Sequence, residues 1–146
     1  MDFLKGTGVA IVTPFTKNGK IDFSAYESMI NFYVKNGISY LVILGTTGES
    51  QTVTFDERNK ILENIVKLNR RRLGLIIGFS GNNTQKLVDE LSNCNLRDFN
   101  AILSVCPYYN KPSQVGLYEH FSHISEASPI PLILYDVPSR TGVSIS

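Results

Sequence analysis

Cysteine, excess charge and long apolar runs are all scarce in this sequence, and each shortage removes a class of protein. The chain of 146 residues has 2 Cys and sets 14 Lys+Arg against 13 Asp+Glu, for a net charge of +1. Two cysteines as far apart as Cys94 and Cys106 are too few for a disulfide framework or a zinc cage and too distant for a redox pair. They read as free thiols in a reducing compartment. A near-neutral chain lacks the basic field that grips a phosphate backbone, so nucleic acid is not an expected partner. No stretch approaches the roughly 20 apolar residues of a membrane span, so no membrane is expected either. The apolar run at residues 9–12 is too short for a secretory signal and is closed by Thr13-Pro14, which makes the expected location cytoplasmic. Asn82-Asn83-Thr84 then matches a glycosylation acceptor by accident. What is left, with 42% hydrophobic residues, is a globular chain long enough to bury about two-thirds of its unfolded surface.

Short β-branched runs alternate with amphipathic segments along the whole length, the order of parallel strands joined by crossover helices. Strands are predicted at residues 9–12, 40–44, 75–77, 101–105 and 132–135, each almost continuously apolar, as in strands covered on both faces. Four helices lie between them. Ser24 and Glu27 have capping-box spacing ahead of the stripe Tyr26, Met29, Ile30, Tyr33, which Gly37 stops. Thr54 and Glu57 repeat the box ahead of Ile61, Leu62, Ile65 and Leu68. The third helix carries Leu87, Val88, Leu91 and Cys94, and the fourth opens at Ser113 and buries Leu117, Phe121 and Ile124. Arg70-Arg71-Arg72 falls where the second helix ends, where positive charge complements the helix dipole. No linker divides the series, so one domain is expected. Five strand–helix units are too few to close an eight-stranded barrel, which takes about 250 residues. The pattern fits an open five-stranded sheet or the first part of a barrel.

The C-terminal ends of parallel strands open onto one face, where sites assemble. Polar residues gather there: Thr13-Pro14, Gly45-Thr46-Thr47-Gly48-Glu49-Ser50, Ser80-Gly81-Asn82-Asn83, Pro107-Tyr108-Tyr109-Asn110 and Tyr135-Asp136-Val137-Pro138-Ser139-Arg140. In the second of these, two glycines let backbone amides turn toward a ligand and two hydroxyls can donate, which suits a carboxylate or phosphate. The same turn also serves as a plain tight connection. It has neither the Lys of a P-loop nor a dinucleotide fingerprint. Tyr108, Tyr109 and Tyr135 read either as packing aromatics or as phenols that relay a proton. Arg140, on a Pro/Gly-bounded loop, is either a bidentate carboxylate clamp or a solvated charge. His120 and His123 stand three apart like a metal pair but lack a third ligand, so no metal is expected. No Gly-x-Ser-x-Gly elbow supports a serine hydrolase.

Four ordered motifs make the chain resemble the dihydrodipicolinate synthase family, within the Schiff-base aldolase superfamily that includes N-acetylneuraminate lyase. They are Gly8-Val9-Ala10-Ile11-Val12-Thr13-Pro14-Phe15, the loop at 45–50, Pro107-Tyr108-Tyr109-Asn110-Lys111-Pro112 with Gly116-Leu117-Tyr118, and the segment at 134–142. The fold implied is α/β, a (β/α)8 TIM barrel of which residues 1–146 supply about the first five strands and four helices, ending before the Schiff-base lysine. The reaction implied condenses pyruvate with L-aspartate 4-semialdehyde through a lysine imine, in diaminopimelate and lysine biosynthesis, with no metal or organic cofactor. Thr46, Tyr109 and Tyr135 match the proton relay, Thr47 the position that holds the pyruvate carboxylate, and Arg140 the one that binds the semialdehyde carboxylate. The resemblance also implies a homo-oligomer, a dimer of dimers, in which Tyr109 reaches into a neighbouring subunit's site. Arg140 weighs against the N-acetylneuraminate lyase-like alternative; a 2-keto-3-deoxy sugar acid aldolase is the other one within the superfamily. From a different class, the alternative is a non-catalytic α/β scaffold whose Thr46-Thr47 loop holds a small anion.

The sequence departs from the family's pattern in two ways. The position that matches the effector-binding acidic residue of lysine-inhibited members holds Lys86, whose charge would repel the effector's ammonium groups. The Schiff-base lysine of the family follows a sixth strand, and no lysine of this sequence matches it. Borohydride reduction of the isolated 146-residue chain with pyruvate is therefore expected to leave every lysine unmodified; a reduced pyruvyl-lysine peptide in the digest would overturn this.

Overall fold

The computed structural model describes residues 4–146, which form two compact units, one ending at Ile77 and the other spanning Gly78–Ser146. In the first unit the elements are β1 (Gly8–Ala10), α1 (Phe23–Lys35), β2 (Tyr40–Ile43), α2 (Phe55–Asn69) and β3 (Gly74–Gly78), whose last residue begins the second unit. That unit continues with α3 (Thr84–Ser92), β4 (Ala101–Val105), α4 (Gln114–Ala127), β5 (Leu132–Tyr135) and the single turn α5 (Pro138–Thr141). β1 pairs with β2, β2 with β3, and β4 with β5, all parallel, in registers that set Val9 against Leu41, Leu41 against Leu75 and Val105 against Tyr135.

The five predicted strands all form, β4 and β5 with the predicted bounds and the other three with ends shifted by one or two residues. Residues 11 and 12 lie past β1, although Ile11 still donates to Val42 O at 3.0 Å. Burial on both faces holds for β3 and β4 but not for β1 or β5, where Leu134 is 46% exposed.

Helix starts follow local capping chemistry, with one correction. Thr54 and Glu57 form the expected reciprocal box: Glu57 N–H donates to Thr54 Oγ1 at 3.3 Å and Thr54 N–H to Glu57 Oε2 at 2.9 Å. Ser113 caps α4. α1, however, is capped by Asp22, whose Oδ1 accepts from Ser24 N–H and Ala25 N–H, both at 3.0 Å, and from Ser24 Oγ at 2.7 Å. A carboxylate that can accept all three displaces the serine from the capping role, and the same bonds, that from the Ser24 side chain foremost, lower the Asp22 pKa. The arginine run behaves as expected at the end of α2. Arg72 donates to Asn69 O at 3.1 Å and Leu68 O at 2.9 Å, satisfying carbonyls a helix end leaves open.

Apolar stripes supply both cores: Tyr26, Ile30, Ile61, Leu62 and Ile65 in the first unit, Leu87, Leu91, Leu117, Phe121 and Ile124 in the second. Cys94 lies past the end of α3, whose C-cap is Asn93, and not on its predicted stripe. Cys106 packs with Leu117 and Phe121. No helix of the described residues is long and apolar enough to cross a membrane.

His120 is the titratable member of the second core, only 3% exposed. Its Nδ1 lies 2.8 Å from Thr84 Oγ1, its ring meets Phe121 edge to face, and its buried Nε2 has no hydrogen-bond partner. Burial lowers its pKa below the ordinary 6.5. The unfolded chain takes up a proton at this imidazole before the folded one does, so stability is full above pH 6.5 and declines as the pH falls below it. Urea midpoints measured across that range are expected to fall with pH in the wild type and to fall less steeply in His120→Gln.

Candidate active site

β2 ends at Ile43, and the chain turns at once through Leu44, whose backbone is left-handed (φ +55). Two successive turn bonds follow, Gly48 N–H to Gly45 O at 3.0 Å and Glu49 N–H to Thr46 O at 3.1 Å. The amides of Gly48 and Glu49 are therefore engaged inside the loop. Neither glycine supplies a left-handed residue; Leu44 and Glu49 do. Gly48 is required by closeness instead, because a Cβ there would lie 3.1 Å from Leu44 N and Cα and 3.2 Å from Ile11 O. Thr46 and Thr47 are both exposed.

Thr13 holds that loop, a role the sequence did not disclose. It is 4% exposed, and its Oγ1 donates to Gly48 O at 2.6 Å. It also bonds the phenol of the fully buried Tyr26, whose pKa is raised by burial and partly restored by Thr13. A hydroxyl just past the first strand thus ties the second strand's loop to α1.

In the second unit, Tyr135 ends β5 beside Val105, and its carbonyl accepts Cys106 N–H at 3.2 Å. The parallel register sends the residues after Val105 and after Tyr135 out at the same end. Tyr108 and Tyr109 separate in role there. Tyr108 is half-buried, which raises its phenol pKa, whereas Tyr109 is 89% exposed with a left-handed backbone (φ +73). Asn82 and Asn110, also missed, clamp this segment: Asn82 Nδ2 donates to Tyr108 O and Asn110 Nδ2 to Asn82 O, both at 3.3 Å. Both asparagines stand among the polar residues after the strands, where such side chains bond to nearby backbone, but their partners lie 26 and 28 residues away. Arg140 stands exposed, not on an irregular loop but on α5.

The same end shows what is not reactive. Cys106 is buried with its Sγ 3.8 Å from Asp136 Oδ1, and burial, with the Asp136 charge, raises its thiol pKa. His123 is exposed and bonds Glu119 O at 2.7 Å, while His120 faces Thr84, so the histidines do not converge. Among the described residues no three of His, Cys, Asp or Glu gather in a metal-holding group. Lys86 is exposed and pairs with Glu90 at 3.8 Å along α3.

Thr46 and Thr47 after β2, Tyr109 after β4, and Tyr135 and Arg140 at and after the end of β5 all occupy strand C-termini. The profile of the Dihydrodipicolinate synthetase family matches residues 3–146. The chain belongs to that family. It is 52% identical over 136 residues to the 4-hydroxy-tetrahydrodipicolinate synthase of Flavobacterium psychrophilum, covering 93% of this chain and 46% of that protein. It superposes with a TM-score of 0.91 and 39% identity on the chloride-inhibited dihydrodipicolinate synthase of Acinetobacter baumannii complexed with pyruvate, over 97% of this chain and 48% of that one. A monomeric dihydrodipicolinate synthase variant gives the same TM-score at 41% identity, over 98% of this chain and 47% of that one. The chain spans about half the length of the curated relatives it matches. Its five strand–helix units match the N-terminal part of the family's (β/α)8 barrel.

Removing the Thr13 hydroxyl leaves Gly48 O unpaired in a buried place, at a cost of about 1–3 kcal/mol. Thr13→Val is expected to lower the urea midpoint accordingly and Thr13→Ser to keep it; equal midpoints for wild type and Thr13→Val would show that the bond does not hold the loop.

Proposed function

We infer that residues 1–146 are the N-terminal part of a single (β/α)8 domain of a 4-hydroxy-tetrahydrodipicolinate synthase, a lyase-class enzyme condensing pyruvate with L-aspartate 4-semialdehyde. The observation that carries the site assignment is Tyr109, a tyrosine exposed over 89% of its surface and left-handed at φ +73. A non-glycine residue in that region costs about 1–2 kcal/mol. Packing of its own ring does not offset that cost, and such outliers cluster where a side chain is held for function.

The chemistry calls for a lysine amine, supplied beyond these residues, to add to the pyruvate ketone and expel water as the imine forms. A methyl proton is then lost to give the enamine, whose carbon bonds to the aldehyde carbon while the aldehyde oxygen takes up a proton. Each step moves a proton in a site that admits little water, the work of a hydroxyl relay. Thr46, Tyr109 and Tyr135 are that relay in this reading, Thr47 holds the pyruvate carboxylate, and Arg140 meets the semialdehyde carboxylate as a two-pronged donor. Tyr109, turned away from its own core, acts at a neighbouring subunit's site, so the enzyme is a homo-oligomer, a dimer of dimers. A chain with only the two cysteines Cys94 and Cys106 and no disulfide framework fits a cytoplasmic location.

In protein made from the entire reading frame, Tyr109→Phe, Tyr135→Phe and Thr46→Val are each expected to lower kcat by roughly 10²–10⁴-fold. Mixing and reassembling the two tyrosine variants should restore part of the rate, because a mixed dimer can hold one intact site. Turnover of N-acetylneuraminate without condensation of pyruvate and the semialdehyde would replace this reading with that of the sister lyase.

A further inference from the structure

Two loops that carry candidate residues are joined by a side chain with no place in the mechanism above. Lys111 lies two residues past Tyr109, and its backbone is also left-handed (φ +48). A non-glycine residue there is disfavoured unless its surroundings fix it. Its side chain crosses to Gly142, the residue that closes α5. A Cβ built on Gly142 would meet Lys111 Cε at 2.8 Å, Cγ at 3.5 Å and Cδ at 3.6 Å. Three successive methylenes of the lysine therefore lie against the bare Cα of Gly142, the apolar use of a long charged side chain.

The turn they rest on needs support from outside. α5 is one turn long, Val137 gives it no side-chain cap, and Gly142, left-handed at φ +73, closes it by donating its N–H to Pro138 O at 2.9 Å. A single helical turn gains little from its own hydrogen bonds. Thr141 anchors it from within: it is buried, and its hydroxyl, 2.8 Å from Val143 O and 3.2 Å from Val137 O, has one proton to donate to either carbonyl. Lys111 bears on it from the loop after β4. Arg140 is exposed on the same turn.

We propose that the methylene chain of Lys111 braces the Pro138–Thr141 turn and makes Lys111 a positioning residue for the Arg140 guanidinium. The brace is a matter of packing. Its consequence for the substrate rests on the proposed function, in which Arg140 meets the carboxylate of the second substrate. A clamp that must present two donors to one carboxylate is sensitive to displacements on the order of 1 Å, so the brace governs binding of the semialdehyde and not of pyruvate.

The peptide bond after Arg140 is a trypsin site, whereas the bond after Lys111 precedes Pro112 and resists trypsin. Limited trypsin digestion of the full-length protein, read by mass spectrometry, thus reports on the turn alone. Lys111→Ala is expected to speed cleavage after Arg140 about tenfold, since cleavage follows the population of the opened turn. Lys111→Met, which keeps a chain reaching Cε without the charge, should be cut at the wild-type rate. In the condensation assay, Lys111→Ala should raise the KM for L-aspartate 4-semialdehyde between about ten- and a hundredfold with the KM for pyruvate unchanged, and Lys111→Met should restore it. An unaltered cleavage rate in Lys111→Ala, or equal acceleration in the Ala and Met variants, overturns the brace. Faster cleavage with an unchanged semialdehyde KM overturns the positioning role. Absence of condensation by the wild-type protein would instead sink the proposed function and leave the brace to be judged by proteolysis.

Discussion

Parallel pairing sets the terms for the rest of this chain. Because β1 runs beside β2, β2 beside β3, and β4 beside β5, every helix carries the chain back along its unit, and paired strands deliver it to the same end of that unit. The residues after the strands are thereby crowded together, and their backbone polar groups still require partners. Side chains from adjacent loops provide them. Thr13 donates to Gly48 O, Asn82 to Tyr108 O, and Asn110 to Asn82 O. Within each unit, loop conformation is thus fixed by neighbouring loops as well as by each loop's own composition.

Backbone strain follows the same map. Leu44, Glu49, Tyr109 and Lys111 are left-handed without being glycine, and all four follow β2 or β4. Arg70 and Arg71 share the conformation at the end of α2, where a left-handed residue is the ordinary way to stop a helix and expose its last carbonyls to capping. No such task exists after β2 and β4. There Gly48 sits buried against Leu44, Lys111 lies along Gly142 at the surface, and Thr46, Thr47 and Tyr109 are exposed.

Polar groups inside the two units divide along similar lines. Thr13 and Tyr26 satisfy each other and the loop above them. Asn69 closes α2 by exchanging bonds with Leu73, Nδ2 to the carbonyl at 2.8 Å and N–H to Oδ1 at 3.1 Å. His120 keeps one nitrogen on Thr84 and leaves the other, like the hydroxyl of Ser104, buried without a partner. Asn82-Asn83-Thr84, which resembles a glycosylation acceptor in sequence, is woven into these contacts: Asn82 on Tyr108, Asn83 as the cap of α3, Thr84 on His120.

Much of the architecture was legible because it is local. Apolar runs of three to five residues, helical stripes of about two turns, the Thr54–Glu57 box and the Ser113 cap are each written within a single element, and apart from Cys94 and shifts of one or two residues they appear where expected. The competition between Asp22 and Ser24 was local too, decided by the stronger acceptor. The residue types at the strand ends likewise announced Thr46, Thr47, Tyr109, Tyr135 and Arg140 as candidates. The tertiary structure alone decided what holds them: Thr13 reaching across 35 residues to Gly48, Asn82 across 26 to Tyr108, and Lys111 onto Gly142. Such contacts depend on which loops parallel pairing brings side by side, and a pairing between distant segments leaves no periodic trace in the chain that makes it.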